Sequence, residues 1–417
     1  MEQEYDIAVI GAGPAGMMAA GKAGESGCRV ILIEKNTELG KKLLITGKGR
    51  CNLTHLEADN KLFSKPFGKQ GDFLLSGLSV FNALKTISFF ESKGLKLKQE
   101  RGKRIFPRSD KSQNVLKVLE KYLKEQKIEI LKNAEVDKIE NQNNKIQKII
   151  LKNKKQIKAK NYILATGGKS YPITGSTGNG YKWAQKMGHK IIKPEPALTP
   201  LRIKEKWIRQ TQGLSLKNVS IDILSNNKLQ KGLFGEALFT HFGISGPIVL
   251  SMSKRIGELI KKGETKLILD LKPALDLAKL DKRIQRDFAK YRNKMLKNAL
   301  DDLLPQKLIP IILQLSKIDQ NKKASSITKK ERGDLTKIIK GLEMTVIGLA
   351  GFEKAIITTG GVDLKQIDGK TMKSKIIDNL YFAGEIINLD GPSGGYNLQL
   401  CWTSGYLAGQ SATKNLN

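Results

Sequence analysis

The chain is poor in the residues on which disulfide scaffolds and metal centres depend. Of 417 residues, three are cysteine (Cys28, Cys51 and Cys401) and three are histidine. An odd number of thiols without metal-ligand spacing argues against a disulfide framework and fits a reducing, cytoplasmic setting. Three histidines are too few for a His-rich metal centre, so no metal site is expected. No run of 18 apolar residues occurs, and no membrane span is expected. The opening residues carry Glu2, Glu4 and Asp6 instead of a basic segment, so no signal peptide is expected.

Acidic residues are the other scarcity. Forty Asp and Glu face 73 Lys and Arg, a formal net charge of +33. Between Glu140 and Glu195 there is no acid at all, yet there are twelve lysines. A field of that size attracts polyanions, with an affinity that falls steeply with salt. Only twelve of the 73 basic residues are Arg, however, and base-reading contacts favour Arg. The chain is also rich in Lys, Asn and Ile together. Nucleic-acid contact and compositional drift therefore both account for the charge.

What is present begins at residue 5. The segment Tyr5–Ile10, apolar but for Asp6, leads into Gly11-Ala12-Gly13-Pro14-Ala15-Gly16, then a helical stretch, then Val30–Ile33 ending on Glu34 and Lys35. This order predicts a buried strand, a tight turn, a helix and a second parallel strand. Gly11 permits the turn, Gly13 lets the backbone approach a diphosphate, and Gly16 lets helix and strand pack closely. The helix N-terminus faces the phosphates with its partial positive charge. Glu34 falls where a ribose hydroxyl acceptor is expected.

Near Pro194–Pro200 the character changes, and the pattern alternates like strands through residue 274. Residues 275–341 take helical spacing with many basic residues, including Lys282, Arg283, Arg286, Lys322, Lys323, Lys329 and Lys330. From Ala355 onward the pattern returns to strand and glycine-rich turn, and the chain is read as re-entering the first domain near 342. The expected division is therefore 1–193 as the first part of a nucleotide-binding domain, 194–274 and 275–341 as an insert, and 342–417 as the returning part. The fold class expected is α/β, a discontinuous Rossmann-like domain.

A second glycine-rich segment, Gly384-Glu385 through Asp390, Gly394, Gly395, Tyr396, Asn397 and Leu398, runs from a strand end into the last helix. Backbone N–H groups at such a helix start suit the electron-rich side of a flavin, or its phosphate and ribityl chain. Glu385 and Asp390 supply acceptors for sugar hydroxyls. Paired with the first fingerprint, it points to FAD, which is long enough to need contacts at both ends. The final helix carries Gly405, Ala408 and Gly409, which suit close packing on a sheet.

Four motifs in order resemble the HI0933-like (YhiN/BaiN-like) family of FAD-dependent NAD(P)H oxidoreductases. They are Gly47–Thr54, Ala165–Gly178, Leu238–Pro247 and Tyr381–Asn397. The resemblance implies an FAD-binding domain interrupted by a β-barrel and a small helical subdomain. It implies that Arg50, Cys51 and Asn52, with Gly47 in the same loop, lie beside the flavin, and that Val136 meets the adenine through its backbone. Thr166, Gly167 and Gly168 would pass close to the cofactor, and Gly384, Glu385 and Gly394–Leu398 would hold the ribityl and ring end. Asn179 departs from the family's pattern, where Asp is expected. No second GxGxxG exists, so NAD(P)H would dock transiently as reductant.

The resemblance implies two activities: reduction of uridine to dihydrouridine in 23S ribosomal RNA, and reduction of conjugated enones in steroid-like small molecules. In both, hydride reaches the carbon β to a carbonyl and an acid protonates the α-carbon. The basic composition favours the RNA reading, with the enone reductase as alternative. A flavin-bound RNA-binding or assembly factor without turnover is a third. Candidate acids are Cys51, His241 and Tyr171. Simple packing accounts for each as well, and for Tyr396, and His241 is expected to be semi-buried between Phe239 and Phe242.

Overall fold

Residues 4–414 and Leu416 are described by the computed structural model. They fall into two units, Met1–Pro196 with Ala355–Asn417, and Ala197–Lys354.

An apolar run with no polar face has to be covered on both sides, and Ile7–Ile10, buried throughout, is such a run. The first unit is built on a seven-stranded sheet. Its strands include β1 (Glu4–Ile10), β2 (Val30–Ile33), β3 (Glu129–Leu131), β4 (Val136–Gln142), β5 (Lys145–Leu151) and β6 (Gln156–Leu164). The spatial order is β3-β2-β1-β6-β5-β4. β1 is central and pairs in parallel with β2 and β6. Helix α1 (Pro14–Gly24) makes the β1–β2 crossover, with Pro14 at its start where the missing N–H costs nothing.

β6 shares one edge between two partners. Ile157 and Gln156 pair antiparallel with β5, whereas Tyr162–Leu164 pair in parallel with the late strand Leu380–Phe382. The chain thus returns to the sheet immediately before Ala165-Thr166-Gly167-Gly168. The final helix (Tyr396–Lys414) lies on α1. A Cβ at Gly405 would come within 2.4 Å of the Ala15 carbonyl oxygen, and one at Gly409 within 2.3 Å of that of Ala19. These glycines were expected to meet a sheet; they meet a helix backbone instead.

The second unit holds a closed barrel of β7 (Leu201–Ile203), β8 (Ser215–Ser225), β9 (Lys228–Thr240), β10 (Gly243–Ser245), β11 (Thr265–Asp270) and β12 (Leu342–Leu349). The order is β7-β10-β9-β8-β11-β12, closed by β7 against β12. Alternate residues such as Ile221, Leu267, Leu269 and Met344 fill its interior. The helices that accompany it include α2 (Pro247–Leu259), α3 (Leu277–Lys290), α4 (Ile309–Ser316) and α5 (Lys329–Lys340). The last begins with a capping box between Thr328 and Glu331.

One boundary differs from expectation. Leu342–Leu349 was assigned to the returning nucleotide domain, but β12 pairs with β11 and β7 and closes the barrel. The first unit resumes at Ala355. Among the described residues no single helix is long and apolar enough to cross a membrane.

Candidate cofactor site

The first turn is built by steric demand. Gly11 has φ +100°, and its Cβ would stand 2.7 Å from the Ala165 carbonyl oxygen. A Cβ at Gly16 would stand 1.8 Å from the Gly11 carbonyl oxygen, whereas at Gly13 it would meet nothing within 4 Å. The first and third glycines therefore serve packing, and the second leaves an open face at the N-terminus of α1.

Glu34 is buried and braces this turn. Its Oε2 accepts from the Ala12 N–H (2.8 Å), and its Oε1 from the Asn36 N–H (2.8 Å) and Nδ2 (2.7 Å). Oε2 keeps one lone-pair direction for a sugar hydroxyl. The Glu34 carbonyl accepts from the Ala134 N–H (2.9 Å), two residues before Val136. Lys35 Nζ donates to Thr177 Oγ1 (3.2 Å), and Asn36 Nδ2 to the Thr174 carbonyl (3.2 Å). The 171–178 loop is thereby tied beside the end of β2, and Asn179 opens the helix that follows it.

The second glycine segment begins against the first. Gly384 has φ +78°, and its Cβ would fall 2.8 Å from the Ala15 Cβ. Its N–H donates to Ser404 Oγ at 2.8 Å. Further on, a Cβ at Gly395 would fall 2.3 Å from the Thr54 carbonyl carbon, so the Gly47–Thr54 loop and the start of the last helix also touch. Tyr396 stacks on His55, with centroids 4.7 Å apart, and leans on Phe63. Asp390 is buried and accepts from the Thr359 hydroxyl (2.7 Å). Leu398 packs against the hydrophobic core.

Three expected cofactor contacts are engaged elsewhere. Asn397 accepts from the Gly391 N–H and donates to the Gly391 and Pro392 carbonyls, so its amide holds the loop together. The Arg50 guanidinium binds Glu100 (2.7 Å) and Asp110 (3.2 Å) and lies over Phe106. Glu100 in turn raises the Arg50 pKa. Glu385 pairs with Lys42, as described below.

Cys51 is corrected as a proton donor. Its side chain is 0 % exposed, and burial pushes the thiol up to about 12. A thiol enclosed and neutral in this way presents no solvent-facing surface from which to donate a proton. Its φ of +61°, with Gly47, Lys48 and Gly49 also left-handed, gives it a place in a tight loop. Tyr171, also left-handed, is half-buried and follows Ser170. His241 lies in the second unit, between β9 and β10. It is exposed rather than semi-buried, edge-on to Phe242.

A network that sequence reasoning missed joins four distant segments. Lys42 Nζ donates to Ser170 Oγ (2.6 Å) and Glu385 Oε2 (2.8 Å). Glu385 Oε1 accepts from the Ser170 hydroxyl (3.0 Å) and the Thr358 N–H (2.8 Å). Thr358 Oγ1 accepts from the N–H groups of Lys169 and Ser170. One lysine in so lysine-rich a chain gives no signal in advance.

FAD fits these residues. The open face at Gly13 suits a diphosphate at a helix start. Asn52 Oδ1, His55 Nδ1 and Thr166 Oγ1 are buried without a hydrogen-bond partner, on the segments that flank the two glycine stretches. Buried polar atoms of this kind call for a polar ligand or water.

The mixed sheet with its parallel core and glycine turn, in a chain interrupted by a closed barrel, is a Rossmann-type FAD-binding fold. The chain belongs to the HI0933-like protein Rossmann domain family, whose model matches residues 5–411. It is 34 % identical over 411 residues to a 3-dehydro-bile acid delta(4,6)-reductase of Clostridium scindens, covering 98 % of this chain and 99 % of that one. It is 31 % identical over 418 residues to a ribosomal RNA dihydrouridine synthase of Haemophilus influenzae, covering 99 % and 100 %. Among solved structures, it is similar to the 3-ketosteroid-delta4-(5alpha)-dehydrogenase of Rhodococcus jostii. That match has a TM-score of 0.56 at 14 % identity, covering 99 % of this chain and 97 % of the other. The family is one of flavoprotein oxidoreductases.

Proposed function

We propose that the protein is an FAD-dependent, NAD(P)H-driven reductase of a C=C bond conjugated to a carbonyl, and that its substrate is uridine in 23S ribosomal RNA. The observation that carries the FAD reading is the meeting of Gly384 with Ala15, which joins both glycine-rich segments at the start of α1. FAD, when bound, supplies the hydride. The chain orients it: the Gly11–Gly16 turn faces the diphosphate, Glu34 a ribose hydroxyl, and the Gly384–Gly395 segment the ribityl and ring end. With Cys51 enclosed, Tyr171 and His241 remain as acids whose side chains reach solvent.

The two relatives described above are named a delta(4,6)-reductase and a dihydrouridine synthase, and reduction of a C=C conjugated to a carbonyl is a chemistry that suits both names. The charge favours RNA over a small apolar enone. Lys145, Lys152, Lys154, Lys155, Lys158 and Lys160 stand exposed along β5, β6 and their turn, within the acid-free stretch. Lys152, Lys154 and Lys160 pair with Glu135, Asp137 and Asp6, and the net positive face that is left suits a phosphate backbone. The target base would have to be unstacked, or captured before the RNA has folded. The second reading, an enone reductase, rests on the 34 % identical bile-acid reductase.

Pre-reduced protein is mixed, without oxygen, with unmodified 23S rRNA or with a 3-keto-Δ4 steroid. Rapid flavin reoxidation by rRNA alone is expected. Reoxidation by the steroid alone favours the second reading. Reoxidation by neither leaves a non-catalytic binding factor.

A further inference from the structure

The Lys42–Glu385 pair lies where the two glycine-rich segments converge. Lys42 belongs to the short helix Lys41–Ile45, which follows Gly40 in a left-handed conformation. The Gly40 N–H donates to the Ala12 carbonyl at 2.9 Å, so the lysine is tethered to the first glycine turn. Glu385 follows Gly384, which abuts Ala15 in the first turn of α1. Both ends of the ion pair are therefore fixed beside the N-terminus of that helix.

The side chains are 19 % and 18 % exposed, and Ser170 is fully buried. Glu385 Oε1 is saturated by two donors, which leaves Oε2 to hold the lysine. An ammonium has three donors. Two of those on Lys42 go to Ser170 and Glu385; among the described residues the third has no partner. Three loops have thus been assembled around one half-buried cation that keeps a donor in reserve.

We propose that Lys42 is the cation this protein presents to the diphosphate of its nucleotide cofactor, with Glu385 and Ser170 as the residues that position it. Glu385 acts as a positioning residue rather than as the sugar-hydroxyl acceptor expected of it. The helix N-terminus supplies the dipole and the open backbone face at Gly13; Lys42 supplies the full charge. A point charge with rotatable donors suits a diphosphate. This inference rests on the FAD reading above.

The test is fluorescence titration of flavin-stripped protein with FAD, ADP and adenosine, using wild type, K42R, K42M and K42M/E385Q. K42M should weaken FAD and ADP about tenfold each, a change of ~1.4 kcal/mol, and leave adenosine binding unchanged. K42R should keep most of the affinity. The doubly neutral variant should stay as weak as K42M. Recovery of wild-type affinity in K42M/E385Q would make the pair a structural tie only and overturn the proposal. So would K42M affinities equal to wild type, or a matching loss for adenosine. If wild-type protein takes up no FAD, the flavin reading itself fails, a distinct outcome.

Discussion

The two glycines Gly13 and Gly16 are three residues apart, yet adding a methyl group to each should have opposite consequences. Gly16 sits within α1, where Ala would ordinarily gain about 0.5–1 kcal/mol over Gly. Here the new Cβ would lie 1.8 Å from the Gly11 carbonyl oxygen and 3.4 Å from the Ala165 Cβ. Both the helix and the turn would have to move by more than an ångström. Overpacking of this kind costs about 1–3 kcal/mol or more, so Gly16→Ala should destabilise the cofactor-free protein on balance. Gly13 has φ −76° and ψ −177°, open to any residue, and its Cβ meets nothing within 4 Å. Gly13→Ala should leave stability within about 1 kcal/mol of wild type. Its methyl would instead occupy the face reserved for the diphosphate. A clash of about 1–3 kcal/mol there corresponds to a roughly five- to 150-fold weaker FAD affinity. Urea denaturation of the flavin-free variants and FAD titration separate the two effects. A Gly13→Ala variant that binds FAD like wild type, or a Gly16→Ala variant as stable as wild type, would refute the assignment.

Cys51, enclosed and neutral, should resist thiol reagents at pH 8 in the native protein. Cys51→Ala should retain reductase kcat within a few-fold; a loss of a hundredfold with unchanged stability would restore the thiol to the chemistry. His189 is 2 % exposed, and burial holds its pKa below the ordinary value. The Ala184 carbonyl can only accept, so Nδ1 carries the proton and Nε2 accepts from Ser374. The neutral ring is therefore the native form. Its contribution is fully present above about pH 6.5, the unfolded value, and is lost as pH falls through the lower folded value. Denaturant midpoints between pH 7 and 5 should fall more steeply for wild type than for His189→Gln; parallel profiles would contradict this.

The first crossover was legible because the apolar stretch Ile7–Ile10 with Gly11, Gly13, Gly16 and Glu34 fixes its own geometry within about thirty residues. The strand that ends just before Gly384 was legible for the same local reason. For Leu342–Leu349 nothing local says which sheet it joins; only its pairing with β11 and β7 does. The site was readable as far as backbone shape governs it. The identities of ion-pair partners were not. Glu385 looked like a free acceptor until Lys42, 343 positions away, came to rest beside it. Arg50 looked available for the flavin until Glu100 and Asp110 claimed it. Side-chain pairing across such distances is a product of the finished fold, and a chain with 73 basic residues offers too many equivalent partners to choose from in advance.

The most direct measurement is nucleoside mass spectrometry of 23S rRNA from cells with and without this protein. Loss of dihydrouridine on deletion, restored by the wild-type chain and not by Gly13→Ala, is the result expected of an FAD-dependent uridine reductase. Dihydrouridine at the same level in both strains would contradict it.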